Sequence, residues 1–196
     1  MVDWTLIDGA ETARQFSEKI ISGARPLSGR TSISSAIDFA VAELKRAPFE
    51  SARKIIDISG DGDNNAGRHV TSARDDALAY GVTVNGLVIL SDSPHGHTNP
   101  SAGLEEYYRR NVIGGPGAFV IVAKGLHTFG EAIVRKLTME IAQLAHGASL
   151  MQMAARNDEA AFAGEVGFRI GNFSSRAGNS RAIIAGGATA SRLPKR

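Results

Sequence analysis

The chain has 196 residues, 43% hydrophobic and 21% charged, the balance of a folded domain with some chain to spare. Its formal net charge of +2 is too small to argue for nucleic-acid binding, and the absence of cysteine excludes disulfides and thiolate chemistry. No apolar run approaches the roughly 18–20 residues of a membrane span, and no basic leader followed by an apolar stretch opens the sequence.

In chain order, Val2 to Ile7 reads as a short strand broken by Asp8-Gly9. From Ala10 the spacing of Ala13, Phe16, Ile20 and Ile21 predicts a helix that Gly23 closes. After a Pro/Gly loop over 25–30, Ile33, Ala36, Ile37, Ala40, Val41 and Leu44 form the buried stripe of a second helix. Ile55, Ile56 and Ile58 make a β-branched run, a buried strand over 54–58 that stops in Gly60-Asp61-Gly62-Asp63-Asn64-Asn65. Val70 to Tyr80 predicts a helix, Val82 to Leu90 a second apolar strand, and Leu104 to Arg110 a short helix. Gly114-Gly-Pro-Gly117 is a turn before a third strand, Ala118 to Ala123. A long amphipathic helix follows from Leu126 to Ala145, with Phe129, Ile133, Leu137 and Ile141 one turn apart. Residues 147–196 are rich in Ala, Gly, Ser, Asn and Arg; 150–162 could extend a helix, and the rest is expected to be a largely disordered tail.

Strands alternating with helices predict an α/β fold: a partial doubly wound, Rossmann-like parallel sheet of about three strands flanked by helices, within residues 1–146. In such sheets ligands bind beyond the carboxyl ends of the strands, which puts the acidic loop after residue 58 at the place for chemistry. Asp61, Asp63, Asn64 and Asn65 offer hard oxygens suited to Mg²⁺ or Ca²⁺. They do not make a helix–loop–helix calcium site, because Ala66 replaces the required Gly and Ser72 the terminal Glu. The same residues also serve simply to cap a turn and the next helix. Thr31 or Ser32 stands at a helix start, where a hydroxyl either caps free N–H groups or binds an ion. His95 and His97 have metal-like spacing without a third ligand nearby and read as a solvated loop.

Gly29-Arg-Thr-Ser-Ile-Ser-Ser-Ala-Ile37, a helix, and then a strand ending in Gly60-Asp-Gly62 together resemble the second half of a von Willebrand factor type A domain. Asn111 to Phe119 is similar to a bacterial branch of such proteins, and the resemblance covers about Val2 to Ala145. It implies a metal-ion-dependent adhesion site at the carboxyl edge of the sheet, with Thr31 and Asp61 as metal ligands, Ser32 and Asp63 as neighbours, and Mg²⁺ as the cation. The family's first motif, Asp-x-Ser-x-Ser, occurs nowhere in the 196 residues. The chain is therefore expected to be an amino-terminally truncated domain whose metal site is incomplete and whose first confident strand has an open edge for self-association.

The resemblance implies a non-enzymatic module that binds a protein ligand through an acidic side chain completing the metal's coordination. Two alternatives remain at this level. One is a metal-dependent hydrolase or phosphotransferase using Asp57, Asp61 and Asp63; the other is a remnant without function. As written, the sequence is expected to be cytoplasmic, and exported if a longer parent carries an upstream signal.

Overall fold

The computed structural model describes residues 2–22, 31–48, 53–90, 103–140, 166–171 and 181–187. Its centre is strand β2 (Arg53–Gly60), in which every residue from Ile55 onward is buried. Such a run needs cover on both faces, which a parallel sheet between helices provides. β2 pairs in parallel with β3 (Val82–Leu90), from Lys54 opposite Val82 to Gly60 opposite Val88. β3 pairs in parallel with β4 (Val120–Lys124), from Gly86 opposite Val120 to Leu90 opposite Lys124. This three-stranded parallel sheet, flanked by helices, is the α/β, Rossmann-like arrangement that the alternation of elements predicts.

Side chains alternate across the sheet, so each face has its own cover. On one face Ile56, Ile58, Val82, Val84 and Val88 meet α2 (Ile33–Lys45) and α3 (Val70–Ala79) through Ile33, Ile37, Leu44, Val70 and Ala77. Each fully buried Ile here contributes roughly 1.5–3 kcal/mol. On the other face Leu87, Ile121 and Ala123 pack with Ala132, Phe129 and Ile133 of helix α5, described over 129–140 after a 3₁₀ turn at Leu126–Thr128. Helix α1 (Ala10–Ser22) follows the short strand β1 (Thr5–Ile7). The expected close of α1 at Gly23, His95 and His97, and the expected helix over 150–162 lie outside the described residues.

Helix α4 (Leu104–Tyr107) does not run regularly to Arg110 as the periodicity predicts. It widens into a π-helical turn, Tyr108–Val112, closed by Ile113 N–H donating to Tyr108 O at 3.0 Å. The widened turn allows Tyr108 and Val112, both fully buried, to enter the core.

Two further strands lie inside 147–196, the segment expected to be a disordered tail: β5 (Val166–Gly171) and β6 (Arg181–Gly187). They form an antiparallel pair, and β6 runs antiparallel to β2 from Arg53 opposite Gly187 to Ser59 opposite Arg181. β5 also pairs with β1, so the six-stranded sheet has the order β1-β5-β6-β2-β3-β4. The edge of β2, expected to stand open, is therefore covered by the chain's own β6. Backbone groups left unpaired at a strand edge are satisfied by any extended segment in reach, and this hairpin is in reach. No helix of the described residues is long and apolar enough to cross a membrane.

Candidate functional site

The acidic loop and the start of α2 are joined by backbone chemistry. Asn65 N–H donates to Thr31 O at 2.9 Å, and Thr31 N–H donates to Asn65 Oδ1 at 2.8 Å. Ser34 N–H donates to Asn64 Oδ1 at 3.0 Å, and Asn64 Nδ2 donates to Arg68 O at 3.1 Å. Asn64 and Asn65, read from sequence as candidate oxygen ligands, thus spend their amide oxygens on free N–H groups at the helix start. The consequence is that Thr31 lies beside the loop carrying Asp61. A Cβ on Gly62 would be 3.5 Å from the Thr31 hydroxyl.

Ser32 is the N-cap of α2. Its hydroxyl accepts from Ser35 N–H at 3.3 Å and donates to Ser35 Oγ at 2.7 Å, and the residue is buried. Its side chain is committed to the cap. Gly67, at φ +80°, closes over this cluster, where a Cβ would meet the hydroxyls of Ser32, Ser34 and Ser35 at 2.6, 2.7 and 3.1 Å. Asp61 and Asp63 are exposed, and Thr31 is half-buried. Arg68 straps the back of the loop to both helices, with ion pairs to Asp38 of α2 at 2.5 Å and Asp76 of α3 at 2.7 Å.

Two tyrosines from the α4 region brace the loop from the other side. Asn64 N–H donates to the Tyr107 hydroxyl at 3.1 Å, and the Tyr108 hydroxyl donates to Gly62 O at 3.4 Å. Their rings meet edge to face with centroids 6.2 Å apart. The Tyr108 ring crosses β2 and β3 where both carry glycine. A Cβ on Gly60 would overlap its hydroxyl, and one on Gly86 would stand 3.1 Å from its Cδ1. Burial foremost, and then the negative charge of Asp61, raise the Tyr108 phenol above its ordinary range. Burial also raises Tyr107, against the Asn64 backbone hydrogen bond, with a smaller push from Asp63. The tyrosines therefore remain neutral hydrogen-bonding groups facing the two carboxylates.

Asp57 is not part of this loop. Alternation along β2 turns it with Ser59 to the opposite face from Ile56 and Ile58, beneath α5. It is 1% exposed and ion-paired with Lys136, itself 4% exposed. Lys136 Nζ also donates to Glu140 Oε1 at 2.7 Å, and Asn85 Nδ2, on the adjacent strand in register with Asp57, donates to the same oxygen at 2.9 Å. Asn85 Oδ1 accepts from Phe119 N–H at 3.2 Å. Burial is the dominant influence on Asp57 and outweighs the nearby ammonium of Lys136, pushing the carboxyl up to about 7. Three acids gathered at the strand end, the basis of the hydrolase alternative, are thus reduced to two. Sequence periodicity holds no hint of this network. Lys136 and Glu140 are spaced like any surface pair, and the hydrogen-bonded partners Asn85 and Glu140 are 55 residues apart.

The donor set at the loop is hard oxygen, the chemistry of Mg²⁺. Two oxygen donors, from Thr31 and Asp61, would leave most positions of an octahedron to water or a partner. Among the described residues no group of three or more His, Cys, Asp or Glu side chains is arranged to hold a metal ion. No curated protein and no solved structure matches the chain. A family model does match over residues 1–145, which take in the parallel sheet, its helices and both halves of the loop site, and by that match the chain belongs to the family described as protein of unknown function (DUF1194).

Proposed function

We propose that the chain is a non-enzymatic protein-binding module of the von Willebrand factor type A class, with an incomplete metal-ion-dependent adhesion site built on Thr31 and Asp61. The observation that carries this reading is the reciprocal pair of hydrogen bonds between Thr31 and Asn65, at 2.8 and 2.9 Å. It ties the loop before α2 to the loop after β2, so that a hydroxyl and an exposed carboxylate share the carboxyl end of the sheet. That is also where an open α/β sheet binds its ligands.

In this reading Thr31 Oγ1 contacts the cation directly and Asp61 directly or through water, with Asp63 adding negative charge nearby. Ser32 contributes through the helix cap. The remaining coordination is open to an acidic side chain of a protein partner, and no bond is made or broken. With so few protein oxygens, Mg²⁺ binding is weak and keeps several waters on the ion. The hydrolase reading is less well supported, because Asp57 is buried against Lys136 on the other face.

Isothermal titration with Mg²⁺, Mn²⁺ and Ca²⁺ tests the proposal on the native chain, Thr31→Val and Asp61→Ala. Saturable binding in the native chain that is lost in both variants is the expected result. Absence of any saturable heat in the native chain would overturn the metal-site reading and favour the remnant. Phosphoester turnover lost in Asp61→Ala would favour the hydrolase.

A further inference from the structure

On the sheet face away from α2 and α3, two carboxylates and one ammonium are enclosed together. Asp57, Lys136 and Glu140 are 1%, 4% and 4% exposed. Lys136 contacts both acids, and Asn85 supplies a hydrogen bond to Glu140 Oε1. We infer that this cluster is a proton-dependent latch: one proton held between Asp57 and Glu140 keeps α5 docked on the sheet, and loss of that proton loosens the helix.

The argument begins with charge. With both acids ionised, two negative charges face one positive charge in a site removed from water. An uncompensated buried charge is far more costly than a paired one, and a buried acid avoids the cost by holding its proton. The geometry leaves room for that proton. Asp57 Oδ2 and Glu140 Oε2 have no hydrogen-bond partner among the described residues, and neither does the nearby Ser59 hydroxyl.

Among the described residues, Lys136 is the cation recorded in ion pairs with the two acids. From β3, Thr83 and Asn85 share the face and are neutral, and from β4 so do Ile121 and Ala123. On α5, Glu131 and Arg135 are exposed. Arg53, in the same alternation at the start of β2, is half-buried, and Arg181 of β6 stands opposite Ser59 in the register. Among the described residues, Asp57 has Lys136 as its sole ion-pair partner.

The direction of the pH effect follows. In the unfolded chain an Asp carboxyl loses its proton near 3.8, whereas in the fold Asp57 is raised to about 7. Between these values the folded state binds the extra proton, so stability falls as pH rises. The contribution of the protonated latch is complete below about pH 4 and is lost as pH passes through about 7.

Hydrogen exchange of the whole chain at pH 5.5 and 8.5, corrected for the intrinsic rate at each pH, reads the latch directly. Amides of 129–140 should lose at least about tenfold protection at the higher pH, while those of α3 change much less. Asp57→Asn, which leaves Lys136 and Glu140 as a balanced pair, should remove the difference. Equal protection of 129–140 at both pH values in the native chain would overturn the latch, as would a variant that keeps the full difference. If the variant does not fold, carboxyl-carbon resonances of the native chain decide. The Asp57 carboxyl should titrate between pH 6 and 8, and its titration below pH 5 would be incompatible with the proposal.

Discussion

Gly60 shows how a single position links the strand to the candidate site. It ends β2, and the Tyr108 hydroxyl occupies the space where a side chain would begin, so that a Cβ at this position would overlap it. Tyr108 is fully buried, so its rigid ring cannot swing aside as an exposed chain would. Gly60→Ala should therefore cost about 1–3 kcal/mol of stability, the usual range for overpacking a closed core. Adding Tyr108→Phe removes the clashing oxygen. In urea unfolding, the double variant should be less destabilised than the sum of the two single changes. A strictly additive pair would show that the clash is relieved elsewhere. At this scale, the nearness of Thr31 to the loop that carries Asp61 is legible, because the residue order around the strand end resembles a known pattern. Asn64 and Asn65 are not, because an amide oxygen looks the same in sequence whether it binds a cation or caps a helix. Asp57 is easily misplaced because adjacency in sequence to Asp61 says nothing of the face to which alternation turns it.

Helix α5 gives the corresponding lesson for elements. Its apolar periodicity picks out Phe129, Ile133 and Leu137, yet the most buried line is Ala132, Lys136 and Glu140, also one turn apart. Periodicity locates a helix and its amphipathic character, but the polarity of the surface beneath decides which residues face inward. Here that surface carries Asp57 and Asn85, and the helix answers with a base and an acid. Lys136→Met should destabilise the chain by about 3–5 kcal/mol, because it leaves two buried carboxylates without their cation. Combining it with Asp57→Asn should recover part of that loss in chemical denaturation at pH 8. If the double variant is no more stable than Lys136→Met, the lysine matters for packing and not for charge. The strands β2, β3 and β4 are readable because β-branched runs bounded by Gly are strong local signals. The π-helical turn after α4 is not, since the extra residue per turn is set by where Tyr108 must sit.

For the molecule as a whole, the decisive contact is between the two ends of the sequence that composition separates. β6, from the Gly- and Ala-rich segment, covers β2 and stands between it and β5, which in turn holds β1. The sequence of β6 contains two adjacent Ile residues and two Gly residues, too weak a strand signal to recognise without the edge it pairs with. Long-range pairing of this kind supplies what local propensity lacks, and it also governs association. A parallel sheet that ended at β2 would present an unpaired edge of buried-type, β-branched residues, a template for another chain. Ile183 lies opposite Asp57 on one side and Ile170 on the other, so β6 is interior at that position. Ile183→Pro removes an N–H from the ladder and forces β6 away from an interior place. The variant should therefore self-associate at concentrations where the native chain does not, as a concentration-dependent shift in sedimentation velocity. Retention of the native sedimentation profile over the same range would mean that covering the edge of β2 does not control association.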